Sequence, residues 1–362
     1  MLVGMTDDLI PSLAPDEFAP ETVYLNTASM GLLPARTRAA LTADLAAWSA
    51  GRRSPGGYDV AVRAARASFA AIVGTVPERV AIGAQVSPLV GLVAESLPAG
   101  AEVLLAEGEF TSLAQPFHGR GDLVVRTAPL ERLAEAIRPA TALVAVSVVQ
   151  SADGRVTDLP ALRAATAAQG VRLLADATQA AGWLPLRADD ADFLVCAAFK
   201  WLLSPRGTAF LAVAPEAAKT LRPLAPGWYA GEDPWANCYD TVELADSARR
   251  FDVAPVWPAF VGTAASLSLV EELTPERIGA HNLALADRFR AGVESLGHTV
   301  TPGRSAVVSV PGLGHAAAEL AGADVIGSNR AGNLRLAFHL NNGSADADRA
   351  LEVLSALAPR TA

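Results

Sequence analysis

One lysine lies inside an otherwise apolar run, in the segment DFLVCAAFKWLLSPRG at residues 192–207. No charged side chain stands between residue 193 and Lys200, and Trp201, Leu202 and Leu203 follow it. Burying an ammonium group without a partner is costly, so such a lysine reaches solvent, pairs with an anion or loses its proton. A lone lysine at a strand end most often reaches solvent, whereas one held neutral is a nucleophile.

A second ionisable group lies at the end of the preceding apolar run. VRLLAD, at residues 171–176, ends in Asp176, and ADFLVCAA, at residues 191–198, leads into Lys200. Both runs are typical of buried strands, and neighbouring strands end at the rim where open α/β sheets bind ligands. A carboxylate and a buried lysine at that rim suit pyridoxal phosphate. The lysine would form a Schiff base with its aldehyde, and the aspartate would keep its pyridine nitrogen protonated.

The elements that must position these two side chains follow an alternating pattern. Apolar runs predict strands at residues 101–107, 142–149, 171–176, 191–198 and 208–214, and amphipathic patterns predict helices at 34–51, 58–74 and 159–170. Near-continuous apolar strands that alternate with helices predict an α/β domain around a mostly parallel sheet.

The pattern changes after residue 215. A proline- and tryptophan-rich segment at 221–240 predicts an irregular loop, a long helix is predicted at 275–297, and short strands at 305–310, 323–328 and 334–340 precede a helix at 346–357. These elements predict a smaller α+β domain. We therefore divide the chain into an N-terminal segment (1–25), a large α/β domain (26–250) and a smaller C-terminal domain (251–362).

Composition argues against several classes of protein. The net charge of -9 and pI near 5.1 disfavour nucleic acid or an anionic membrane as a partner. The two cysteines, Cys196 and Cys238, are far apart and have no metal-ligand spacing, which fits a reducing compartment and no metal site. The start, MLVGMTDDLIPSL, has no basic region before its apolar residues, and no apolar stretch reaches the roughly 20 residues that span a bilayer. We expect a cytoplasmic protein.

Six segments together resemble one known family. DATQAAG begins at Asp176, and FKWLLSPRG carries Lys200, 24 residues later. YLNTASMGLLP (24–34), EFTSLAQPF (109–117), SVVQSADG (147–154) and LRLAFHLNN (334–342) follow the order that the family has. The chain thus resembles, over nearly its whole length, the class V aminotransferase family, which includes cysteine desulfurases, kynureninase and isopenicillin N epimerase. The resemblance implies a fold-type I pyridoxal-phosphate-dependent transferase and a homodimer.

The resemblance also implies roles for individual residues. It assigns Lys200 to the Schiff base, Asp176 to the pyridine nitrogen, and Gln179 to the cofactor's phenolic oxygen, with Ser151 or Gln150 nearby. Phe110 takes the ring-stacking position, which is often histidine in this family. Substrate contacts are expected from Arg335, which would clamp an α-carboxylate, and from Asn26 and Trp228.

The cofactor's phosphate is expected at the start of a helix. In GAQVSPLVGLVAESL, Ser87 is predicted as the N-cap and Pro88 as the first helical residue, so that free amides of Gln85, Val86 and Ser87 meet the anion. Ala197 and Phe199 stand where the family often has polar residues. Val253-Ala254-Pro255 stands where Gly-Thr-Pro is common. Some phosphate contacts must therefore come from elsewhere in the chain.

The expected activity is that of a C–S (β-)lyase or an aminotransferase that acts on an amino acid. A persulfide-forming desulfurase is disfavoured, because the segment VIGSNRAGN before Arg335 carries no cysteine. Two alternatives remain open. One is a non-catalytic or weakly cofactor-binding member of the family; the other is an epimerase or a decarboxylase of the same fold, although a decarboxylase would not need an arginine on the carboxylate that it expels.

Overall fold

A computed structural model describes residues 9–357 of the chain, and the predicted N-terminal segment at 1–25 lies partly outside this range. The strands of the described chain are β1 (Val23–Tyr24), β2 (Val80–Gly83), β3 (Glu102–Ala106), β4 (Val124–Ala128), β5 (Thr141–Ser147), β6 (Arg172–Asp176), β7 (Phe193–Ala197), β8 (Ala209–Val213), β9 (Val307–Val310), β10 (Val325–Ile326), β11 (Ser328–Arg330) and β12 (Asn333–Ala337). Seven of them form a sheet in the order β2-β8-β7-β6-β5-β3-β4, in which β8 is antiparallel to both neighbours. The prediction of a mostly parallel sheet is confirmed.

Helices cover both faces of this sheet. The α-helices of the described chain are α1 (Ala35–Ser49), α2 (Asp59–Ile72), α3 (Val86–Glu95), α4 (Thr111–Gly119), α5 (Leu133–Ala136), α6 (Leu159–Ala168), α7 (Pro215–Ala218), α8 (Trp257–Leu273), α9 (Pro275–Ser295), α10 (Ala316–Gly322) and α11 (Ser344–Leu357). Helix α6 begins at a side-chain cap from Asp158 and stops before Gly170, whose φ of 67° suits glycine.

The two faces of the sheet explain why its strands are apolar throughout. Side chains alternate between faces along a strand. In β7, Leu194 and Cys196 join the core cluster that contains Phe69 of α2, whereas Val195 and Ala197 join the cluster on the other face. With helices on both sides, every position of such a strand is buried.

The strand order determines which chain segments lie next to one another at one edge of the sheet. Ser147 pairs with Asp176 and Asp176 with Val195 in the parallel ladders. Ala209, the first residue of antiparallel β8, pairs with both Ala197 and Gly83. The segments that leave β2, β7, β6, β5 and β3, and the one that enters β8, therefore lie side by side at this edge.

A smaller part of the chain packs beside the large sheet. Strands β11, β12 and β9 form an antiparallel sheet, and β1 pairs with β10. Helices α9 and α11 pack against it through a third core cluster that contains Phe289, Leu354 and Phe338, and also Leu25 from the N-terminal side. The smaller α+β part is thus present, and residues before 26 contribute to it.

Helix α8 is the element whose packing bears on the domain boundary. Its apolar side chains Phe260, Leu267 and Val270 belong to the core cluster of the large sheet. The same cluster also contains Ile278 of α9 and Val307 of β9, so it spans both parts of the chain, and the predicted boundary at residue 251 stays a prediction. Within residues 9–357, no helix is long and apolar enough to cross a membrane.

Candidate active site

A cavity of about 560 Å³ opens at the edge of the sheet where these segments meet. Its size is within the range usual for small-molecule sites. The residues that line it include Ala28, Ser29, Ala84, Gln85, Val86, Glu109, Phe110, Ser147, Ser151, Asp176, Thr178, Gln179, Ala197, Phe199, Lys200, Arg206 and Arg330.

Lys200 is buried in the wall of this cavity, with 7% of its surface exposed. Its ammonium nitrogen lies 5.3 Å from the ring centroid of Phe110 and 5.8 Å from that of Phe199. Burial lowers the pKa of Lys200 to about 8, the charge of Asp176 opposes this shift, and Arg335 adds to it. The neutral amine, which is the nucleophilic form, is therefore accessible near neutral pH.

Lysine is a rare choice in this chain. Of its 29 basic residues only two are lysines, Lys200 and Lys219. Lys219 is exposed and pairs with Glu216 at 2.6 Å. An arginine cannot lose its proton in a protein, whereas a buried lysine can. The buried lysine, Lys200, thus lies where an amine that can lose its proton would serve as a nucleophile.

The turn after Lys200 is anchored on both sides. Trp201 Nε1 donates to Gln179 Oε1 at 2.7 Å, and Gly31 N donates to the carbonyl oxygen of Phe199 at 2.9 Å. His339 Nε2 lies 3.0 Å from the carbonyl oxygen of Trp201, so this nitrogen must be the donor. Burial lowers the pKa of His339 to about 3, so the ring is neutral. A side chain on Gly31 would collide with the carbonyl oxygen of Lys200, which explains the glycine there.

Asp176 lies at the neighbouring strand end and is buried. The backbone N–H of Thr178 donates to its Oδ1 at 2.8 Å, while Thr178 Oγ1 accepts from the N–H of Ala197 and ties β6 to β7. Burial raises the pKa of Asp176, and hydrogen bonds from Thr178 and the charge of Lys200 oppose the rise. A protonated ring nitrogen that contacts Asp176 would compensate for the cost of this buried carboxylate.

Gln179 and Ser151 line the cavity beside Asp176. Gln179 Nε2 donates to the carbonyl oxygen of Ala28 at 2.9 Å and to Ser151 Oγ at 3.0 Å. Its amide thus bridges three segments, and its predicted contact with a phenolic oxygen stays a prediction. Gln150 is buried and does not line the cavity; its Nε2 donates to Glu109 Oε1 at 2.9 Å.

Glu109 and Phe110 follow the end of β3. Glu109 accepts from the N–H and the hydroxyl of Ser147, at 2.8 and 2.7 Å, as well as from Gln150. These bonds lower its pKa, but burial is the larger effect and the pKa is raised. Glu109 thereby fixes the backbone that presents Phe110, a residue that is 49% exposed and whose ring lies beside Lys200. An exposed ring at this place is available to stack on a planar ligand.

Two arginines meet at one serine hydroxyl on the far side of Gln179. Arg335 Nη2 and Arg330 Nη2 donate to Ser29 Oγ at 2.7 and 3.1 Å, and Ser29 Oγ donates to Asn26 Oδ1 at 2.7 Å. Arg335 also donates to the carbonyl oxygen and hydroxyl of Ser151. Burial, with a contribution from the charge of Arg330, lowers the pKa of Arg335. Neither guanidinium is paired with a carboxylate within the described residues.

These contacts refine the predicted substrate residues. Arg335 is almost fully buried behind the cavity wall, and Arg330 is the member of the pair that lines the cavity. Asn26 reaches the cavity through Ser29. Trp228 lies elsewhere in this chain, with its ring 4.8 Å from that of Trp235, and does not line the cavity. Its expected substrate contact stays a prediction.

The helix start that was expected to meet a phosphate is present but shifted. Helix α3 begins at Val86 with Gln85 as its N-cap, so the prediction of Ser87 as the N-cap and Pro88 as the first helical residue is wrong. The sequence signal of serine followed by proline is common at such starts, but here the chain turns into the helix two residues earlier. Gln85 and Val86 line the cavity, whereas Ser87 does not.

Sequence reasoning missed several cavity residues, among them Ser29, Glu109, Arg206 and Arg330. Glu109 stands three residues beyond the end of β3, whereas Arg206 stands three residues before the start of antiparallel β8. The strand-end argument that located Asp176 applies to Glu109, but Arg206 reaches this edge only because β8 is antiparallel. Arg330 comes from the smaller part of the chain and Ser29 from the segment between β1 and helix α1, and only tertiary packing brings them together here.

The fold and the site together define a large α/β protein with a buried lysine and a carboxylate at adjacent strand ends. The aminotransferase class-V family model matches residues 121–323, which is more than half of the chain. The chain therefore belongs to the class V aminotransferase family.

Individual relatives agree with this membership. The uncharacterized aminotransferase YcbU of Bacillus subtilis strain 168 is 32% identical over 231 residues, which cover 60% of each chain. Isopenicillin N epimerase of Streptomyces clavuligerus is 30% identical over 254 residues, 62% of this chain and 63% of the relative. The matched region thus spans about 60% of the length of these relatives.

Solved structures establish the fold over nearly the whole chain. The complex of the cystine C–S lyase C-DES with cysteine persulfide has a TM-score of 0.84 at 21% identity and covers 92% of this chain and 97% of that one. The cysteine desulfurase of Thermococcus onnurineus NA1 has a TM-score of 0.81 at 22% identity, with 93% and 95% covered. The fold is the fold-type I architecture of these proteins, as predicted.

The lowered pKa of Lys200 predicts how its reactivity depends on pH. Because only the neutral amine attacks an acylating reagent, labelling of Lys200 by acetic anhydride in cofactor-free protein should rise as pH rises through about 8 and then level off. Peptide mass spectrometry would measure it, with exposed Lys219 in the same sample as proof of active reagent. A rise of Lys200 labelling centred near 10.5, the ordinary lysine value, would contradict the prediction.

Proposed function

We propose that this chain binds pyridoxal 5'-phosphate covalently through Lys200 and acts on an amino acid as a C–S (β-)lyase or an aminotransferase-like enzyme. One observation carries the proposal. A lysine with a pKa near 8 and a buried carboxylate, Asp176, occupy adjacent strand ends in a single cavity. Neither group is stabilised by its buried position alone. A cofactor that binds both groups explains why they lie there.

The residues present fit each part of this cofactor. Lys200 would hold the aldehyde carbon, Asp176 the ring nitrogen, Phe110 a face of the ring, and the amides at the start of helix α3 the phosphate. Bound pyridoxal phosphate supplies a protonated ring that accepts negative charge from the α-carbon of an attached amino acid. The fold shared with C-DES, whose glycine-linked form contains that cofactor, supports the proposal.

Proton transfer falls to Lys200. When it is not linked to the cofactor, its Nζ would be a free amine in a buried cavity, and burial lowers its pKa to about 8, which suits a general base. It would take the proton from the substrate's α-carbon and return it to a carbon or a leaving group. Phe110 cannot share this task, because a phenyl ring has no exchangeable proton.

The substrate's carboxylate would bind at the paired arginines. Arg330 faces the cavity and Arg335 lies behind Ser29, and both lack a carboxylate partner in the described chain. A guanidinium binds a carboxylate through two parallel hydrogen bonds. We assign the direct contact to Arg330, with Arg335 and Asn26 orienting Ser29 beside it.

The cysteines do not favour persulfide chemistry. Cys196 is buried in β7, where burial raises the pKa of its thiol, and Cys238 lies in an exposed loop. Neither lines the cavity. A thiolate that could accept sulfur is thus missing from this cavity within the described residues.

We also propose that the protein is a homodimer in the cytoplasm, without nucleic-acid or membrane partners. The resemblance to the family supports the homodimer, and the acidic net charge supports the exclusion of nucleic acid. Sedimentation of the cofactor-loaded protein tests the dimer. A monomer that retains the cofactor would contradict it.

The visible spectrum tests the proposed function. Protein supplemented with pyridoxal phosphate should gain the absorption band of a lysine-linked cofactor, and Lys200→Arg, which keeps the charge but cannot form the link, should not. Wild-type protein is then mixed with amino acids and cysteine S-conjugates. Pyruvate release with the band restored would identify a β-lyase, and accumulation of pyridoxamine phosphate an aminotransferase.

Other outcomes of that experiment select the alternatives. Inversion of the α-carbon alone would identify an epimerase, and release of carbon dioxide a decarboxylase. A wild-type protein without any lysine-linked band would contradict the proposed function and favour a non-catalytic family member.

The assignment of Arg330 predicts a selective loss of carboxylate binding. The substrate for this test is the amino acid that changes the visible spectrum most. Arg330→Gln should raise the KM for it roughly 10-fold to 100-fold, since a charge-assisted hydrogen bond is worth about 1.5–3 kcal/mol. The corresponding amine, which lacks the carboxylate, should bind both proteins equally in spectral titrations. An equal loss for acid and amine, or an unchanged KM, would contradict the assignment.

A further inference from the structure

The strand order gives the cavity two distinct ends. Along the edge of the sheet, the segment that leaves β2 (Gln85 and Val86) comes first, followed by the segments next to β8 and β7, and then those of β6 and β5. Ser151, Ser29 and Arg330 lie at the β5 end. The start of helix α3 lies at the β2 end. A phosphate held by helix α3 is therefore on the opposite side of Lys200 from the paired arginines.

Arg206 lies at the β2 end. It stands three residues before Ala209, whose partners across the sheet are Gly83 of β2 and Ala197 of β7. The chain enters β8 between the segment that opens helix α3 and the segment that carries Lys200. Arg206 is thus between the two groups that would hold the phosphate and the aldehyde of the cofactor, and it lines the cavity with both.

Arg206 is an exposed residue, and its guanidinium rests against one neighbouring ring. Gly207 has a φ of 114°, a conformation that L side chains rarely adopt. The guanidinium carbon of Arg206 lies 5.2 Å from the ring centroid of Phe199, a cation–π contact. Within the described residues it forms no ion pair. Its hydrogen-bonding groups are available to a ligand.

The other groups at this end carry no charge. Ala84, Ala197 and Phe199 contribute apolar surface, and Gln85 forms no side-chain cap at the start of helix α3. Of the other two cationic side chains in the lining, Lys200 is needed for the covalent link, and Arg330 is bonded to Ser29 at the far end. A phosphate dianion at the β2 end therefore has one side chain of opposite charge within its part of the cavity.

We propose that Arg206, held on the ring of Phe199, is the residue that binds the cofactor's phosphate together with the amides at the start of helix α3. The inference rests on the proposed function. A planar guanidinium binds a phosphate through two parallel hydrogen bonds, and the helix amides bind its remaining oxygens. Phe199 then has a role that a core aromatic would not have, because it supports the guanidinium at the cavity wall.

Two forms of the cofactor separate the phosphate contact from the rest of the site. The dissociation constants of pyridoxal phosphate and of pyridoxal, which lacks the phosphate, are measured by titrating cofactor-free protein and following the visible band. Arg206→Gln should weaken pyridoxal phosphate binding roughly 10-fold to 100-fold. Pyridoxal binding should change less than about 2-fold, since the lost contact is absent from that ligand.

Variants and salt provide further readouts. Arg206→Lys should recover part of the affinity, and Phe199→Leu should lose part of it, because the charge remains but its support is removed. Arg132→Gln, at an exposed arginine paired with Glu135, is the matched control and should change neither constant. Added salt should reduce the preference of the wild type for the phosphorylated form more than that of Arg206→Gln.

The possible results separate this inference from the proposed function. If wild-type protein links neither ligand, the proposed function fails. If it links both and prefers the phosphorylated form, but Arg206→Gln keeps that preference, then Arg206 does not hold the phosphate and only this inference fails. An equal loss of both ligands in Arg206→Gln would mean that the variant disturbs the cavity, and it would also overturn the inference.

Discussion

The burial of two opposite ionisable groups in one cavity wall is the constraint on which the rest of the site depends. Removal from water favours the neutral forms of both Lys200 and Asp176, while their mutual attraction favours the charged forms. For Lys200 burial prevails, and its pKa falls to about 8. Without a ligand, the burial of Lys200 and Asp176 together is unfavourable. A ligand that offers an electrophilic carbon to the amine and a cationic ring to the carboxylate makes it favourable.

Maintaining this arrangement requires rigid surroundings. Trp201, Gln179 and His339 form a hydrogen-bonded chain that links the turn after Lys200 to the smaller part of the protein. Glu109 fixes the backbone before Phe110 in the same way on the other side of the cavity. These polar groups bond one another within the wall, while Lys200 and Asp176 line the cavity together with Arg206 and Arg330, which form no ion pair within the described residues.

The sequence was sufficient to predict the centre of the site. The mostly parallel sheet and the juxtaposition of Lys200 and Asp176 followed from apolar runs that end in ionisable residues, because parallel strands share one edge. The same rule extends to Glu109, which follows the end of β3, but not to Arg206, which precedes β8 and reaches this edge only because β8 is antiparallel. Edge strands β2 and β4 were missed because β2 is only four residues long and β4 is partly exposed.

The other failures have physical causes too. Serine before proline predicted a helix start at Ser87, yet the helix begins at Val86 with an N-cap that forms no side-chain bond. The substrate contact expected of Trp228 stays a prediction; within this chain its ring packs against those of Trp235 and Tyr229. Arg330 and Ser29 are far apart in the chain, so only tertiary packing reveals that they share a hydrogen bond.

The most direct test of the account is to find the amino group that carries the cofactor. Protein loaded with pyridoxal phosphate is reduced with borohydride, digested and mapped by mass spectrometry. With only two lysines in the chain, the candidates are few. The account predicts stoichiometric pyridoxyl modification of Lys200. Modification of Lys219 or of the terminal amine in its place, or no stable modification, would contradict it.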